Sequence, residues 1–350
     1  MRCEIITINS DNYGNRLQNY ALQEKLKDFG CDVRTGLSKQ LERPYLTCMK
    51  NYIFSLRNKN AFDKFRRFDR NIKWNYNTAS FLKDDNTVDY YIAGSDQIWN
   101  PMFAFNSDRE FLTFCKPEKR IAYAASIGLS SLPEKYEDRY EKNLKSFNKI
   151  SVREKEAAAI VKDLTQQDVP VVLDPTMLLD VQKWNKVCRK SIYRPKTKYL
   201  VKYFLGIKNP AYDLAIKKMA EENKMEVVDI LPDSVEDNDI GPSEFLDLIR
   251  NCCYVCTDSF HGSVFSILYE KPFGVFGRPM QEGYGNMSSR ISTLLESFDL
   301  RERLIQDENI DLKLDVNIDY VKVKGILETR RRESEYFLRN ALKISESNSR

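Results

Sequence analysis

Tyr254-Val255-Cys256-Thr257-Asp258-Ser259-Phe260-His261-Gly262-Ser263 is the stretch on which the fold turns. It opens apolar, breaks at Thr257-Asp258-Ser259, and resumes with Val264, Phe265 and Leu268 at helical spacing. That pattern is a buried strand, a polar turn and the start of a helix. In α/β folds such turns bind ligands, because the N–H groups of the first helical turn attract anions. His261, the only histidine in 350 residues, stands at this turn. Position alone leaves two readings open: an acid–base group at a site, or a satisfied structural imidazole.

The same strand–turn–helix rhythm extends in both directions. Upstream lie a strand at Tyr199–Leu205, a helix at Ala211–Asn223, a strand at Glu226–Ile230 and a helix at Pro242–Arg250. Downstream come a strand at Phe273–Phe276, a helix at Ser288–Phe298 carrying Arg290, and a long helix from Asp319 to about Ile344. The chain opens with a strand at Cys3–Ile8, a polar turn through Asn15, a helix from Arg16 to about Phe29 and a further strand from Cys31. Strands at Val88–Ala93, Arg120–Ser126 and Asn148–Ser151 follow, then a very short one at Val171–Leu173 behind Pro170. Residues 186–197 are basic and non-periodic, as in a linker. A chain of this length exceeds one ordinary core. The division expected is 1–190 for a first α/β domain, 198–305 for a second, and 306–350 for a terminal helix and tail.

The charge balance, 55 basic against 51 acidic residues, does not predict a nucleic-acid binder. Met1-Arg2-Cys3-Glu4 puts an acid where a signal peptide needs basic and then long apolar residues, and no run approaches 18 apolar residues. The expectation is a cytoplasmic protein with reduced thiols. Phe62, Phe65 and Phe68 recur among Lys64, Arg66, Arg67 and Arg70. A core-facing aromatic stripe with a solvated back is the favoured reading. The alternative is a basic patch making peripheral membrane contact or facing an anionic, lipid-linked substrate.

Several chemistries are excluded. One histidine rules out a His-rich metal site, and no metal ligand set is assigned. The turn after the first strand lacks the Gly-x-Gly-x-x-Gly of a dinucleotide site and the Gly-Lys-Ser/Thr of a P-loop. No Gly-x-Ser-x-Gly accompanies His261. Cys253-Tyr254-Val255-Cys256 lies within a strand, where a redox pair would need its helix to begin, so these are core thiols. What remains are polar groups at strand ends. Arg153 ends a strand just before a helix, where its charge opposes the macrodipole, so anion recognition explains it better than capping. Gly94-Ser95-Asp96-Gln97-Ile98-Trp99-Asn100 follows another strand; Trp99 there suits either stacking on a sugar ring or plugging the core. An acid–base histidine, a strand-end arginine and scattered hydroxyls and amides suit an anionic, metal-free transfer reaction.

Six motifs in order resemble one family: Asn12-Tyr13-Gly14-Asn15-Arg16-Leu17-Gln18, Gly94 to Asn100, Ser151-Val152-Arg153-Glu154, Leu173-Asp174-Pro175-Thr176, Thr257 to Gly262, and Met287-Ser288-Ser289-Arg290-Ile291. Together they make the chain similar to the polysaccharide pyruvyl transferases over about residues 5–305. The resemblance implies a GT-B-like α/β fold: two Rossmann-like domains facing a cleft, with a C-terminal helix crossing back to the first domain. It implies phosphoenolpyruvate as co-substrate, with no separate cofactor. The product is a pyruvate ketal bridging two hydroxyls of a sugar, with release of phosphate. The acceptor is a bacterial surface polysaccharide or its lipid-linked precursor, which would bring the protein to the inner face of the membrane. His261 matches the family's active-site histidine and Arg153 its phosphoenolpyruvate-binding arginine. Some members carry a lysine where this chain has Gln281, and Arg278 or Arg290 is expected to supply that charge. Ser259, Phe260 and His261 complete the donor side. Asn12, Asn15, Asp96, Gln97 and Trp99 are expected on the acceptor side. The competing readings are a GT-B glycosyltransferase using a sugar nucleotide, and a non-catalytic scaffold in capsule assembly.

Overall fold

The structure is a computed structural model, and it describes residues 1–37, 59–76, 83–103, 106–207, 209–231, 239–278, 289–305 and 317–345. Gln281 lies outside the described residues. Two parallel sheets organise the chain. The first contains β1 (Arg2–Ile6), β2 (Asp32–Gly36), β3 (Trp74–Asn75), β4 (Tyr90–Gly94), β5 (Arg120–Ala125) and β6 (Lys149–Val152), in the order β3-β2-β1-β4-β5-β6. The second contains β7 (Tyr199–Tyr203), β8 (Glu226–Asp229), β9 (Tyr254–Thr257), β10 (Phe273–Phe276) and β11 (Leu304–Ile305), in the order β11-β10-β9-β7-β8. Each order reverses once, between β1 and β4 and between β7 and β9. Crevices open at such reversals, outside the carboxyl ends of the strands.

The strands are apolar on both faces because helices cover both. Cys3, Ile5 and Ile6 of β1 and Val255 and Cys256 of β9 are fully buried. Burial pushes the Cys256 thiol above its ordinary value, as expected of a core cysteine. The segment at Val171–Leu173 is reduced to a single parallel bridge, Val152 to Val171. Pro170 has no N–H to extend the ladder. Leu173 N instead donates to Ser334 Oγ of the terminal helix at 3.0 Å. The two-residue β3 was not legible from the sequence. The linker is held down: Ser191 N and Arg194 both donate to Asp247 at 2.8 Å.

The domains share an apolar seam. The Tyr13 ring stacks between Phe65 at 5.4 Å and Phe245 at 5.1 Å. Trp184 packs against Tyr20 at 5.6 Å and Phe265 at 5.0 Å. Phe65 and Phe68 are buried, so the aromatic stripe is core. Two of its basic companions serve the seam: Lys64 pairs with Asp239 at 2.8 Å, and Arg67 pairs with Glu244.

Helix Tyr320–Ala341 ties the domains together. Its start lies on the second domain, where Lys322 pairs with Asp299 at 2.6 Å and Lys324 with Glu270 at 2.8 Å. Its end lies on the first: Arg331 donates to the carbonyls of Met177 and Leu179 at 2.6 and 2.8 Å, and Arg339 covers the Phe29 ring at 4.2 Å. The crossing helix is therefore as expected. No helix among the described residues is long and apolar enough to span a membrane.

Candidate active site

The second domain contributes the turn between β9 and helix Phe260–Leu268. Thr257 Oγ1 accepts from Ser259 N at 3.0 Å and donates to Tyr203 O at 2.7 Å, fixing the exit from the strand. Ser259 is extended (φ −99°, ψ 135°) and caps the helix, accepting from Gly262 N at 3.4 Å. This places His261 in the first helical turn, pointing back over the cap toward the first domain.

The first domain contributes three strand ends. Asp96, two residues after β4, has a left-handed backbone (φ 62°) that is sparsely populated by non-glycine residues. Its carboxylate accepts from Gln97 N at 2.9 Å and from the Asn15 amide. Arg153 directly follows β6. Asp174, at the head of a short 3-10 turn, accepts from Ser95 Oγ at 2.7 Å on one oxygen and from Thr176 N and Oγ1 at 3.0 and 2.6 Å on the other.

These groups meet where the sheets face each other. Arg153 donates to Asp174 at 2.8 Å and to Asp96 at 3.3 Å, and its guanidinium lies 4.4 Å from the Phe260 ring centroid. His261 Nε2 comes within 3.9 Å of Asp174 Oδ1, the oxygen that also accepts from Thr176. Arg290, from helix Ser289–Ser297, approaches Asp96 at 4.0 Å. With its amide oxygen toward Arg290, Gln97 accepts from both terminal guanidinium nitrogens at 3.1 and 3.2 Å. His261 and Arg153, 108 positions apart in the chain, thus converge on one carboxylate. The surroundings of His261 are closed but strongly polar, unlike those of a structural imidazole sealed in an apolar core.

Burial and charge set the protonation states. Burial pulls the His261 imidazole below its ordinary value, against the opposing pull of Asp174 and Asp96. Burial also opposes ionisation of Asp174, but the charges of His261 and Arg153 outweigh it and hold the carboxyl at about 2. Burial and then the like charge of Arg153 lower Arg290 to about 10, which leaves it cationic at neutral pH. Burial raises Glu154, although its Oε1 accepts from Ser126 Oγ, Ile127 N and Gly128 N at 2.9 to 3.0 Å.

The cluster also contains unpaired polar atoms. Among the described residues, Arg153 Nε, Arg290 Nε, His261 Nε2, Ser289 Oγ and Glu154 Oε2 are buried without hydrogen-bond partners. Such atoms are rare in folded proteins, and several at one interface mark a place where a ligand completes the bonding.

Not every expected residue belongs to this cluster. Trp99 is fully buried, stacks on Phe111 at 5.7 Å and donates from Nε1 to Glu110 O at 3.0 Å. With both faces packed, it plugs the core and has no face for a sugar. Arg278 forks onto Asp258 at 2.9 and 3.2 Å, and Asp258 also accepts from the Leu205 and Gly206 amides at 2.7 Å. Its charge is committed to shaping that loop, so Arg290 is the cation with capacity left. Asn12 caps helix Tyr13–Asp28, accepting from Gly14 N at 2.9 Å. Ser259 and Phe260 support the site as a cap and as the ring beneath Arg153. Asp174, Glu154 and Ser289 stood inside quoted motifs but carried no assigned role, since no spacing rule foretells a pairing between Arg153 and Asp174.

Two solved structures with comparable architecture are UDP-GlcNAc 2-epimerases. The enzyme from Methanocaldococcus jannaschii, in complex with UDP-GlcNAc and UDP, has a TM-score of 0.51 at 12% identity, covering 99% of this chain and 100% of the other. The enzyme from Neisseria meningitidis, bound to UDP-GlcNAc, has a TM-score of 0.50 at 12% identity, covering 99% and 94%. At such identity the likeness is one of fold, the GT-B arrangement of two parallel-sheet domains. None of the curated proteins matches the sequence. A family model described as polysaccharide pyruvyl transferase matches residues 12–278, most of the chain and nearly all of the residues assembled above, and the chain belongs to that family.

Proposed function

We propose that this protein transfers pyruvate from phosphoenolpyruvate onto two hydroxyls of one sugar in a surface polysaccharide or its lipid-linked precursor, releasing phosphate. Family membership implies a transferase acting on a polysaccharide acceptor. The donor and the ketal go beyond what family membership implies. The observation that carries it is the set of unpaired buried donors at the domain interface: Arg153 Nε, Arg290 Nε and Ser289 Oγ beside His261 Nε2. Phosphoenolpyruvate carries two anionic groups, a carboxylate and a phosphate ester on the same central carbon, and two guanidinium groups in a water-poor site match them.

In this reading Arg290 grips one anionic group and Arg153 Nε lies toward the other. His261, neutral because burial lowers its pKa, takes the proton of the attacking sugar hydroxyl at Nε2. The hydroxyl oxygen bonds to the central carbon of the donor while the imidazolium passes that proton to the methylene carbon, which becomes methyl. The second hydroxyl then displaces phosphate at the same carbon, losing its proton to the regenerated neutral imidazole. The imidazolium hands this second proton to the departing phosphate oxygen, so one hydroxyl proton ends on the methyl group and the other on phosphate. Asn15, Asp96 and Gln97, from the switch point of the first sheet, face the acceptor.

The test uses the purified chain with phosphoenolpyruvate and lipid-linked oligosaccharide extracts. Phosphate release with a matching mass gain on the glycan is expected. Thermal stabilisation by UDP- or GDP-sugars with none by phosphoenolpyruvate would transfer the assignment to a glycosyltransferase.

A further inference from the structure

Gly14 lies against the face of the catalytic histidine from the other domain. A Cβ built on Gly14 would fall 2.0 Å from His261 Nδ1, 2.4 Å from Cε1 and 2.6 Å from Cγ. No side chain fits between the first turn of helix Tyr13–Asp28 and this imidazole. Glycine is also a poor choice for that turn on helix propensity alone. Its backbone is pinned, since Gly14 N donates to Asn12 Oδ1 at 2.9 Å. With the Nδ1 side covered by Gly14, the nitrogen turned into the polar cluster is Nε2, which is buried, unpaired and 3.9 Å from Asp174.

We propose that Gly14 is a positioning residue: it forms the seat in which the imidazole of the second domain lodges when the domains close, and it selects Nε2 as the nitrogen that transfers protons. Closure and catalytic readiness are then a single event, because His261 reaches Asp174, Arg153 and Arg290 only when lodged on the first domain. The link to turnover rests on the pyruvyl-transfer reading; the seat itself rests on geometry alone.

The test exploits the single histidine, since a chain labelled at histidine gives one set of imidazole resonances. The charged groups facing that ring are Asp174 and Asp96, which favour its protonation, and Arg153 and Arg290, which oppose it. In Gly14→Ala the ring loses its seat. Its titration midpoint is expected to rise toward the ordinary imidazole value of about 6.5, with kcat falling by about 10²-fold or more while KM changes less. Gly325→Ala is the control, because a Cβ there meets nothing within 4 Å, and it should leave both readouts unchanged. A thermal double-mutant cycle gives a second readout: Gly14→Ala should lower Tm in the wild-type background but not in His261→Ala, where there is no ring to strike. A wild-type midpoint in Gly14→Ala, or an equal fall in Tm in both backgrounds, overturns the proposal. Should Gly14→Ala alone not fold, folding of the double variant supports the seat and its failure overturns it. If the wild-type chain releases no phosphate from phosphoenolpyruvate, the functional reading fails while the resonance and the cycle still judge the seat.

Discussion

His261 and Asp174 come from different domains and define the chemistry at the scale of single residues. On the proposed function His261→Ala removes the proton-transfer group, and phosphate release from phosphoenolpyruvate should then fall by about 10²–10⁴-fold with the fold retained by circular dichroism. Asp174 holds Arg153 in place and makes a separate prediction. Its carboxyl lies at about 2 in the folded chain against an ordinary 3.8. A depressed acid contributes stability that is complete above about pH 4 and lost as pH falls toward 2. Asp174→Asn should therefore destabilise the protein at pH 7 by about 3 kcal/mol, because it weakens the pairing of a buried guanidinium. It should also flatten the loss of stability between pH 4 and pH 2. Urea unfolding at several pH values measures both effects.

Among the elements, the terminal helix Tyr320–Ala341 ties the two domains together. Leu338 is fully buried on its inner face, beside Ala341 and Leu342. Leu338→Ala should cost about 2–5 kcal/mol through lost transfer energy and the cavity left behind, read as a lower urea midpoint. The other decisive elements are the turns after β1, β4, β6 and β9. Those after β1 and β9 are capped by their own side chains, Asn12 before helix Tyr13–Asp28 and Ser259 before helix Phe260–Leu268, which holds the turn at a fixed angle.

Across the whole molecule, the closed arrangement combines an apolar seam with ion pairs of unequal weight. Lys155 pairs with Glu296 across the domains at 2.7 Å, but its side chain is largely exposed. Exposed pairs contribute little, so Lys155→Ala should change stability by less than about 1 kcal/mol. Arg153, His261 and Arg290 are all buried at the site. Binding that favours the closed state stabilises it by mass action. Phosphoenolpyruvate at about 100 times its Kd should add about 2.7 kcal/mol, visible as a rise in Tm that Arg290→Ala diminishes.

Much of this was legible in the chain, for a local reason. Strand, cap and helix follow from residues within a few positions of one another, as in Thr257-Asp258-Ser259 before His261, and so the two α/β units, the long terminal helix and the strand-end placement of Arg153 could be read directly, whereas the crossing of that helix came from the family resemblance. The six motifs gave the family because they preserve such local units in order. What the sequence left open was set by contacts between distant positions. Trp99 suited a sugar platform or a core plug until Phe111 and Glu110 were seen to enclose it. Arg278 and Arg290 were equal candidates for the second cation until Asp258 was found to hold the first. The partnership of Arg153 with Asp174 and the seat of His261 on Gly14 arise only when two separately wound sheets meet. Local spacing fixes which end of a strand a side chain occupies; the packing of one domain on the other fixes what that side chain faces.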